Sequence, residues 1–586
     1  MCGFIGTING TPPKVVLEDS LNKILHRGPD NSSIISNHPN QHFGFARLSI
    51  QDLRDVANQP MQLKHITLMF NGEIYNFKKL NSELTQLGAV FKTNSDTETI
   101  LWSYYFFGID FIKKIEGMFS ICIVDNKKNI TYLIRDHLGQ KPLFYYTDSN
   151  TLNFASSVQS LKNLIGLNQT FSISSMSHFL INGYIPAPMT IYEEIKCLEP
   201  GHFLEFDNLK FTYKQKKYWE VPREETDKPI DENQLANLFN EIINEYSISD
   251  VDIALLLSTG IDSSYLAYLL AKTNQNLSTF TLINKDKEKE FKHLKNFTDS
   301  LNLNCNVEIG GNAELNIEEI LTTVIKYSSQ PHSYSSLINS YFLSKKISNN
   351  FKVAISGDGG DEVFGGYSWY FLKQKNMMRN FVKNSKLDNE MIEYQKKSPL
   401  HDHFYNVYPR FLPNEINEIF DNNSMMTEEE HIKFYEAAYS KKLKGRKALQ
   451  RVDLYNFCSN HVCVKVDEMS MANSLEVRLP YLDKRLIDYI FIHSDAYQNK
   501  NNSKYFLRNN LKNAGLEKFL YNKKSGFSLK LKHDKFLYLE YIRNSSLVKS
   551  GYLKNNYEKI ITKKSKYINS RIWNLYILAR WVEINE

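Results

Sequence analysis

The sequence predicts an α/β protein in two parts, and three observations support this prediction. The first two hundred of its 586 residues are rich in short β-type runs, with a few helical stretches. Around 207–235 the chain becomes polar and proline-marked, as a linker does. Beyond this stretch apolar strands alternate with helices, which is the pattern of a parallel sheet covered by helices. We therefore expect domains over 1–205 and 236–586, joined by a linker over 206–235.

The first part combines short strands with helices. Strands are expected where β-branched and aromatic residues run between turn residues, and helices where the apolar spacing is helical. Ser95 is the expected N-cap of the second helix, whose first turn carries Asp96 and Glu98. The predicted elements are a strand over 66–70 ending at Asn71-Gly72, helices over 74–87 and 96–107, and a hairpin of strands 119–124 and 130–134.

The second part opens with a continuous apolar strand over 253–257, followed by a helix over 263–272. Further strands are expected over 277–282 and 352–355. From about residue 370 the pattern is mostly helical. These strands should lie in one parallel sheet, so their carboxyl ends should share one edge.

Composition narrows the class of protein. A net charge of +6 is small for this length and gives no support to nucleic-acid binding. We identify no apolar run long enough to span a bilayer and no export signal, so we expect a cytoplasmic protein with reduced cysteines. Cys458, His461 and Cys463 could be read as metal ligands, but zinc sites usually take four ligands in spaced pairs. We expect these three residues to lie in an apolar helix instead.

Cys2 follows the initiator methionine directly. Removal of Met1 would leave one residue carrying both a thiol and a free α-amine, which can act as nucleophile and as base. Taken alone, a cysteine at this position is as readily an accident of sequence.

Two loops follow strands in the second part. Residues 258–264 join a strand to a helix N-terminus, where free backbone N–H groups favour phosphate binding. Residues 356–362 are rich in glycine and carboxylates, and clustered carboxylates repel unless a cation joins them. Two such loops at neighbouring strand ends predict one site for a nucleotide with Mg²⁺. A serine-rich turn without a ligand is the alternative for the first loop.

These motifs make the second part resemble the ATP-pyrophosphatase domain of glutamine-dependent asparagine synthetases, of the adenine-nucleotide α-hydrolase (PP-loop) type. The resemblance implies that Lys465 stabilises the adenylating transition state and that Asp262, Asp361 and Glu362 hold Mg²⁺. It also implies that ATP contacts Leu257, Ser258, Gly260, Asp262, Ser263, Ser264, Leu282, Ser356 and Gly357. The segments that carry the resemblance are 258–263, 356–362, 464–472, 474–483, Lys524 with Gly526 and Phe527, Trp573, and Arg580-Trp581.

The first part resembles an N-terminal-nucleophile (Ntn, αββα) glutaminase domain of the class II amidotransferases. The resemblance implies that Cys2 attacks the glutamine side-chain amide and that Asn71 and Gly72 stabilise the oxyanion. It further implies that Arg47 binds the α-carboxylate of glutamine, while Glu73 and Asp96 bind its α-ammonium group. Matching segments are His26–Asp30, Arg47–Ile50, Asn58–Met61, Asn71–Asn76, Asp96, Gly117–Phe119, Arg135–Leu143 and Gly183–Pro188.

Together the two resemblances imply a glutamine- and ATP-dependent ligase that amidates a carboxylate, with aspartate as the first acceptor to test. Three departures bear on this: Thr259 in the phosphate loop, Glu468 where the family commonly has arginine, and no arginine near Ser335 in the acceptor segment 330–336. A sugar uronate is therefore an alternative acceptor. A non-catalytic homologue and a cyclising ligase are further alternatives. The family also carries ammonia between its domains, where Met118 would be a lining or a core residue. Homodimerisation stays open.

Overall fold

Three β-sheets organise the protein, each surrounded by helices. The computed structural model describes residues 2–38, 40–166, 170–273, 277–284, 288–310, 317–370, 397–407, 410–420, 427–495, 503–520, 534–563 and 567–586. The Lys524, Gly526 and Phe527 element of the sequence prediction lies outside these residues. The α/β prediction is confirmed for both parts of the chain.

The strands form two antiparallel sheets in the first part and one parallel sheet in the second. Their bounds are β1 Cys2–Ile8, β2 Asn31–His38, β3 Gln41–Arg47, β4 Met61–Leu63, β5 Ile66–Ile74, β6 Gly117–Asp125, β7 Ile130–Arg135, β8 Phe144–Thr147, β9 Leu152–Ala155, β10 Lys196–Cys197, β11 His202–Asp207, β12 Thr212–Lys217, β13 Ile253–Leu256, β14 Ser278–Asn284, β15 Asn304–Gly310, β16 Val353–Ile355 and β17 Glu476–Arg478.

Helices cover the sheets and make up most of the last third of the chain. Their bounds are α1 Lys14–Asn22, α2 Phe77–Gln86, α3 Asp96–Phe107, α4 Val158–Ile165, α5 Ile173–Asn182, α6 Glu232–Tyr246, α7 Ile261–Ala271, α8 Glu288–Ser300, α9 Ile317–Tyr327, α10 Ser336–Ile347, α11 Gly360–Phe364, α12 Pro399–Val407, α13 Pro413–Ile419, α14 Glu428–Glu436, α15 Lys447–Asp453, α16 Cys463–Met471, α17 Lys484–Ile492, α18 Tyr505–Asn513, α19 Lys535–Asn544, α20 Ser546–Lys549, α21 Tyr557–Ile561 and α22 Ile568–Asn585.

The first part is a sandwich of two six-stranded sheets. Their strand orders are β10-β8-β9-β1-β3-β2 and β12-β11-β7-β6-β5-β4. Large apolar side chains from both sheets, among them Phe4, Phe45, Met69 and Leu133, form one buried cluster between them. Helices α2 and α3 pack on the outer face of the second sheet, and α1 and α4 pack on the first. This layering confirms the αββα prediction.

The strand predicted over 66–70 is longer than expected. It continues to Ile74 because Asn71 and Gly72 stay paired with Ser120 and Phe119 of β6. The helix predicted over 74–87 therefore begins later, at Phe77. The helix over 96–107 is confirmed, and the Ser95 side chain caps it by accepting a hydrogen bond from the Thr97 N–H.

The second part contains a five-stranded parallel sheet in the order β15-β14-β13-β16-β17. Strands β13 and β16, which carry the two predicted loops, are direct neighbours. Parallel pairing places their carboxyl ends at one edge of the sheet, as the alternation of elements predicted. Strand β12 lies within the segment predicted as a linker and completes the second antiparallel sheet.

Cys458 and His461 lie in a π-helix, Leu454–Val462, that runs directly into α16 with Cys463 at its start. Among the residues that the structure describes, no group of three His, Cys, Asp or Glu side chains could hold a metal ion. None of the described helices is both long and apolar enough to cross a membrane.

Candidate functional site

Cys2 lies at the start of β1 in the middle of the first sheet, directly opposite Arg47 of β3. The Cys2 backbone nitrogen donates a hydrogen bond to Asn71 Oδ1 at 3.1 Å. Cys2 is buried, and this burial raises the pKa of its thiol, while the nearby Arg47 guanidinium acts in the opposite direction. The structure thus brings together three residues that lie far apart in sequence, Cys2, Arg47 and Asn71.

Gly72 follows Asn71 in β5 and has a positive φ of 155°. A Cβ atom at this position would lie 2.0 Å from the Met118 carbonyl oxygen, so the close pairing with β6 requires glycine. The Asn71 amide nitrogen lies 3.4 Å from Ser120 Oγ. The strand therefore fixes both predicted oxyanion donors beside Cys2. Met118 itself is fully buried in the core.

Arg47 is held in a ring of acceptors. Its Nη1 donates to the Arg54 carbonyl and to Asn58 Oδ1, and its Nη2 donates to the Asp52 and Gln51 carbonyls, at 2.6–3.3 Å. These bonds fix the guanidinium plane next to the nucleophile. A glutamine α-carboxylate bound there would replace some of these acceptors.

Glu73 and Asp96 are buried carboxylates near the same edge of the sheet. Asp96 Oδ2 accepts a hydrogen bond from the Ile74 N–H at 2.8 Å, and Glu73 Oε1 accepts one from Gln51. Burial raises the pKa of Asp96 to about 6 and raises the pKa of Glu73. Two buried acids that disfavour their charged forms would gain from a bound cation, such as an α-ammonium group.

The loop after β13 leads into α7, as predicted for a phosphate site. Two of its serines are hydrogen-bonded to each other. The Ser258 N–H donates to Ser263 Oγ at 3.0 Å, and the two hydroxyl oxygens lie 3.0 Å apart. The Gly260 N–H donates to Ser258 Oγ, and Ser264 Oγ donates to the Gly260 carbonyl. The loop is thus preformed around the first turn of the helix.

Two leucines border this loop. Leu257 is buried just beyond β13, and its N–H donates to the Phe280 carbonyl of β14 at 2.8 Å. Leu282 lies two residues further along β14 than Phe280, towards the carboxyl edge of the sheet. Thr259 in the loop lies with its Oγ1 3.4 Å from Glu290 Oε1, which directs the extra side chain towards α8.

The acidic loop after β16 packs directly on the phosphate loop. A Cβ atom on Gly357 would lie 3.0 Å from the Ser263 nitrogen, and one on Gly360 would lie 2.7 Å from the Asp262 carboxylate. Glycine at both positions therefore allows the two loops to approach closely. The structure unites the two sets of predicted ATP residues at one sheet edge.

Lys504 lies between the two loops and was missed by sequence reasoning. Its Nζ contacts Asp262 Oδ2 and lies 2.6 Å from Asp361 Oδ1. Lys504 is buried, and although burial acts to lower it, the pKa of its ammonium group is raised by the two carboxylates. No spacing rule marks this residue, since it is 242 positions from Asp262 in the chain.

Glu362 differs from the other two predicted metal ligands. Its carboxyl accepts a hydrogen bond from Tyr367 O–H at 2.7 Å, and burial raises its pKa to about 8. Asp262 and Asp361 instead both contact one cation, the Lys504 ammonium group. Two carboxylates together with phosphate oxygens are a usual environment for Mg²⁺, so Asp262 and Asp361 fit that ion and Glu362 fits it less well.

Lys465 of α16 reaches the acidic loop from the other side. Its Nζ donates to Asp358 Oδ1 at 2.8 Å, and Ser356 Oγ donates to Asp358 Oδ2 at 2.6 Å. Burial acts to raise the pKa of Asp358, but Lys465 and Ser356 lower it overall. The predicted catalytic lysine therefore lies at the predicted nucleotide loop.

The acceptor segment 330–336 lies between the two parts of the protein. Its Gln330 accepts a hydrogen bond from the Ile191 N–H, and Tyr334 stacks on His461 with ring centroids 4.0 Å apart. His332 Nε2 lies 3.0 Å from His461 Nδ1, and burial lowers the pKa of His332 to about 3. The segment is thus lined by uncharged polar and aromatic groups, with the Arg410 side chain hydrogen-bonded to Tyr334.

Glu468 packs against the start of this segment. Its Oε1 accepts a hydrogen bond from the Ser329 N–H at 2.9 Å, and burial raises its pKa to about 8. The carboxyl is therefore mostly protonated at neutral pH. Replacing the family's common arginine by Glu468 removes a positive charge here without installing a full negative one.

A buried set of charges joins the two sites. Arg27 Nε donates to the Cys2 carbonyl at 3.1 Å, and its Nη2 donates to both oxygens of Asp467 at 3.1 and 2.9 Å. Lys141 Nζ lies 3.3 Å from the same carboxylate. Asp467 is two residues from Lys465 on α16, so this helix contacts both the nucleophile's surroundings and the nucleotide loop.

Comparisons with known proteins match both parts of the chain. The glutamine amidotransferase domain family matches residues 1–219. Glutamine-hydrolyzing asparagine synthetase 1 of Bacillus subtilis (strain 168) is 28% identical, covering 100% of this chain and 97% of that protein. Asparagine synthetase B of Escherichia coli (strain K12) is 29% identical over 64% of this chain and 66% of that protein.

A third relative is the putative asparagine synthetase 2 of Methanocaldococcus jannaschii, which is 31% identical over 63% of this chain and 76% of that protein. The asparagine synthase family matches residues 234–583, which is more than half of the chain. The resemblance predicted from the motifs is thereby confirmed, together with glutamine-dependent amidation of the asparagine-synthetase kind. The protein belongs to the asparagine synthase family.

Proposed function

We propose that the protein uses ammonia from glutamine to amidate a carboxylate that it first activates with ATP. The observation that carries this proposal is the placement of Cys2 and Lys465 at two sites bridged by Arg27 and Asp467. A glutaminase alone needs no nucleotide loop. A synthetase fed only by free ammonia needs no Cys2 site.

In the first site, the α-amine of a processed Cys2 takes the proton of the Cys2 thiol, and the thiolate attacks the glutamine side-chain carbonyl. The same amine then returns the proton to the departing nitrogen. The negative charge that develops on the carbonyl oxygen is met by the Asn71 side-chain N–H and the Gly72 backbone N–H. Arg47 orients the α-carboxylate, and Glu73 and Asp96 bind the α-ammonium group. Ammonia leaves, and water releases glutamate from the acyl-enzyme.

In the second site, the acceptor carboxylate attacks the α-phosphorus of ATP and pyrophosphate leaves. Adenylation is needed because a free carboxylate is a poor acyl donor. Ser258, Gly260, Ser263 and Ser264 would bind phosphate oxygens through loop and helix N–H groups. Ammonia then attacks the acyl carbon and expels AMP, which leaves an amide.

Lys465 and a magnesium ion would both stabilise the negative charge of the phosphate groups during adenylation. Asp262 and Asp361 would hold Mg²⁺, which would supply charge neutralisation for the phosphate groups of ATP. Lys504 contacts the same two carboxylates and keeps them together before nucleotide binds. Lys465, released from Asp358, would reach the adenylating centre as a positive charge.

Aspartate is the first acceptor to test, since the relatives are asparagine synthetases by name. A specific observation favours a second candidate, a hydroxylated acid such as a sugar uronate. His332 and Glu468 are both uncharged near neutral pH, so the acceptor segment offers them as hydrogen-bonding groups and not as a cation for a second carboxylate.

Pyrophosphate release tests the proposal. Purified protein with Mg-ATP and glutamine should release pyrophosphate only when a suitable acid is present, and a panel should include aspartate and several uronates. Cys2→Ala should lose the reaction with glutamine but keep it with ammonium salts. Failure of ammonium to support product formation by Cys2→Ala would contradict the coupled mechanism. Absence of release with every acid would favour a non-catalytic homologue.

A further inference from the structure

A strand of the ATP half forms part of the wall of the glutamine site. Arg478, the last residue of β17, is fully buried. Its Nη2 lies 3.4 Å from Glu73 Oε2, and its Nε donates to Glu476 Oε1 at 2.7 Å. Its Nη1 donates to the Tyr246 and Ile248 carbonyls, both at 2.7 Å. The guanidinium is thus fixed by the ATP half and points a positive charge at a glutaminase carboxylate.

We propose that Arg478 is a positioning residue of the glutamine site, which orients Glu73 and favours its charged form for the α-ammonium group of glutamine. This inference rests on the proposed glutaminase function. It adds that the substrate pocket of the first domain is completed by a side chain from the second. Glutamine recognition therefore depends on the docking of the two halves.

The charges around Glu73 explain why a cation is needed. Glu73 is buried, and it shares its surroundings with two further carboxylates, Asp96 and Glu476. Arg478 is the cation that opposes both the burial and these like charges, and Tyr75 and Glu476 are its other neighbours. Without Arg478 the pKa of Glu73, which burial already raises well above its usual value, would rise further, and a neutral carboxyl attracts an ammonium group weakly.

The main chain of the same residue contacts the nucleotide loop. The Arg478 carbonyl accepts a hydrogen bond from the Ser356 N–H at 3.0 Å, and β17 pairs with β16 next to that loop. One residue therefore contacts Glu73 with its side chain and Ser356 with its backbone. A shift of the loop on nucleotide binding would move the guanidinium relative to Glu73.

Glutamine hydrolysis by Arg478→Met and Arg478→Lys tests the proposal in the full-length protein. Loss of one charge contact worth about 1.4 kcal/mol corresponds to about a ten-fold change, so KM for glutamine should rise about ten-fold or more in Arg478→Met at pH 7. The kcat at saturating glutamine should change far less. Arg478→Lys keeps the charge and should recover part of the KM.

The pH profile separates positioning from a structural role. The ratio of KM in Arg478→Met to KM in the wild type should fall as the pH rises, because the Glu73 carboxyl then ionises even without its partner. The inhibition constant of 4-carbamoylbutanoate, which is glutamine without its α-ammonium group, should be the same in both proteins. A matched control is Lys484→Met, which removes a different ion pair between the halves, Lys484–Glu116 at 3.2 Å, and should leave KM unchanged.

Three outcomes are distinguishable. If the wild type hydrolyses no glutamine, the proposed function fails. If it does, and folded Arg478→Met keeps the wild-type KM or weakens both ligands equally, the positioning role is refuted. Ammonia-dependent pyrophosphate release reports whether each variant is folded. If Arg478→Met does not fold, Arg478→Lys is the deciding variant. A wild-type KM and a wild-type pH profile in Arg478→Lys would then refute the positioning role.

Discussion

Replacing Lys504 by methionine tests the electrostatics of the ATP site most directly. Lys504 Nζ lies 2.6 Å from Asp361 Oδ1 and also contacts Asp262. At an effective dielectric constant of about 20, a unit charge pair at this distance attracts with about 6 kcal/mol, before desolvation is subtracted. Removing one partner of a buried pair typically costs about 3–5 kcal/mol, because the remaining charge is left uncompensated. Methionine keeps most of the apolar length of the side chain and removes the ammonium group.

The assay is urea unfolding of the full-length protein, first with a chelator and then with Mg²⁺ and pyrophosphate. Lys504→Met should lower the free energy of unfolding by about 3 kcal/mol with the chelator. Mg²⁺ should restore part of that loss, because it can neutralise the same two carboxylates. The matched control is Lys512→Met in α18, whose partner Glu517 is exposed and lies 3.5 Å away, and which should cost less than about 1 kcal/mol.

Two results would refute this reasoning. Equal stability of Lys504→Met and Lys512→Met would mean that Asp262 and Asp361 do not need a cation between them. A loss that Mg²⁺ with pyrophosphate leaves unchanged would mean that the two carboxylates do not form the metal site. Pyrophosphate release by Lys504→Met should also fall, since the loops would be less well ordered before nucleotide binds.

Three further predictions concern single side chains. Gly72→Ala should lower the kcat of glutamine hydrolysis by about 100-fold or more, because its Cβ would meet the Met118 carbonyl and displace an oxyanion donor; steady-state ammonia release measures this. KM for glutamine should rise as the pH falls through about 6, because Asp96 is charged only above its pKa, and Asp96→Asn should abolish that pH dependence while raising KM at pH 8. Glu468→Gln should be more stable than the wild type between about pH 5 and 8, by about 1–3 kcal/mol in thermal unfolding. The pKa of Glu468 is raised in the folded protein, so over that range the carboxyl ionises on unfolding, and this ionisation destabilises the wild-type fold. A flat difference across this range would show that Glu468 is ionised when folded.

The strands and the two nucleotide loops follow from local sequence, whereas the glutamine-site residues and Lys465 were implied by the family resemblance. Strand β13 and the loop at Ser258 are adjacent in the chain, so apolar patterning and glycine placement suffice to predict them. The same holds for Ser356 and Asp361 after β16. The end of β5 was predicted wrongly because Asn71-Gly72 usually marks a turn, whereas pairing with β6 overrides that local preference.

Contacts between distant segments were beyond sequence reasoning. Lys504 and Arg478 are ordinary basic residues until the fold places them beside carboxylates. Glu468 looked like a reversed charge, but its burial makes it a mostly neutral group at pH 7. Protonation states of this kind depend on desolvation by the whole fold, which no short motif encodes.

The interface between the halves suits the passage of an uncharged molecule. A cavity of about 40 Å³ lies there, lined by residues of both parts that include Gln140, His332 and Glu468. His332 and Glu468 are both neutral near pH 7, and Asp467, the other acid in the wall, is paired with Arg27 and Lys141. The replacement of a family arginine by Glu468 therefore keeps this wall free of a new uncompensated charge.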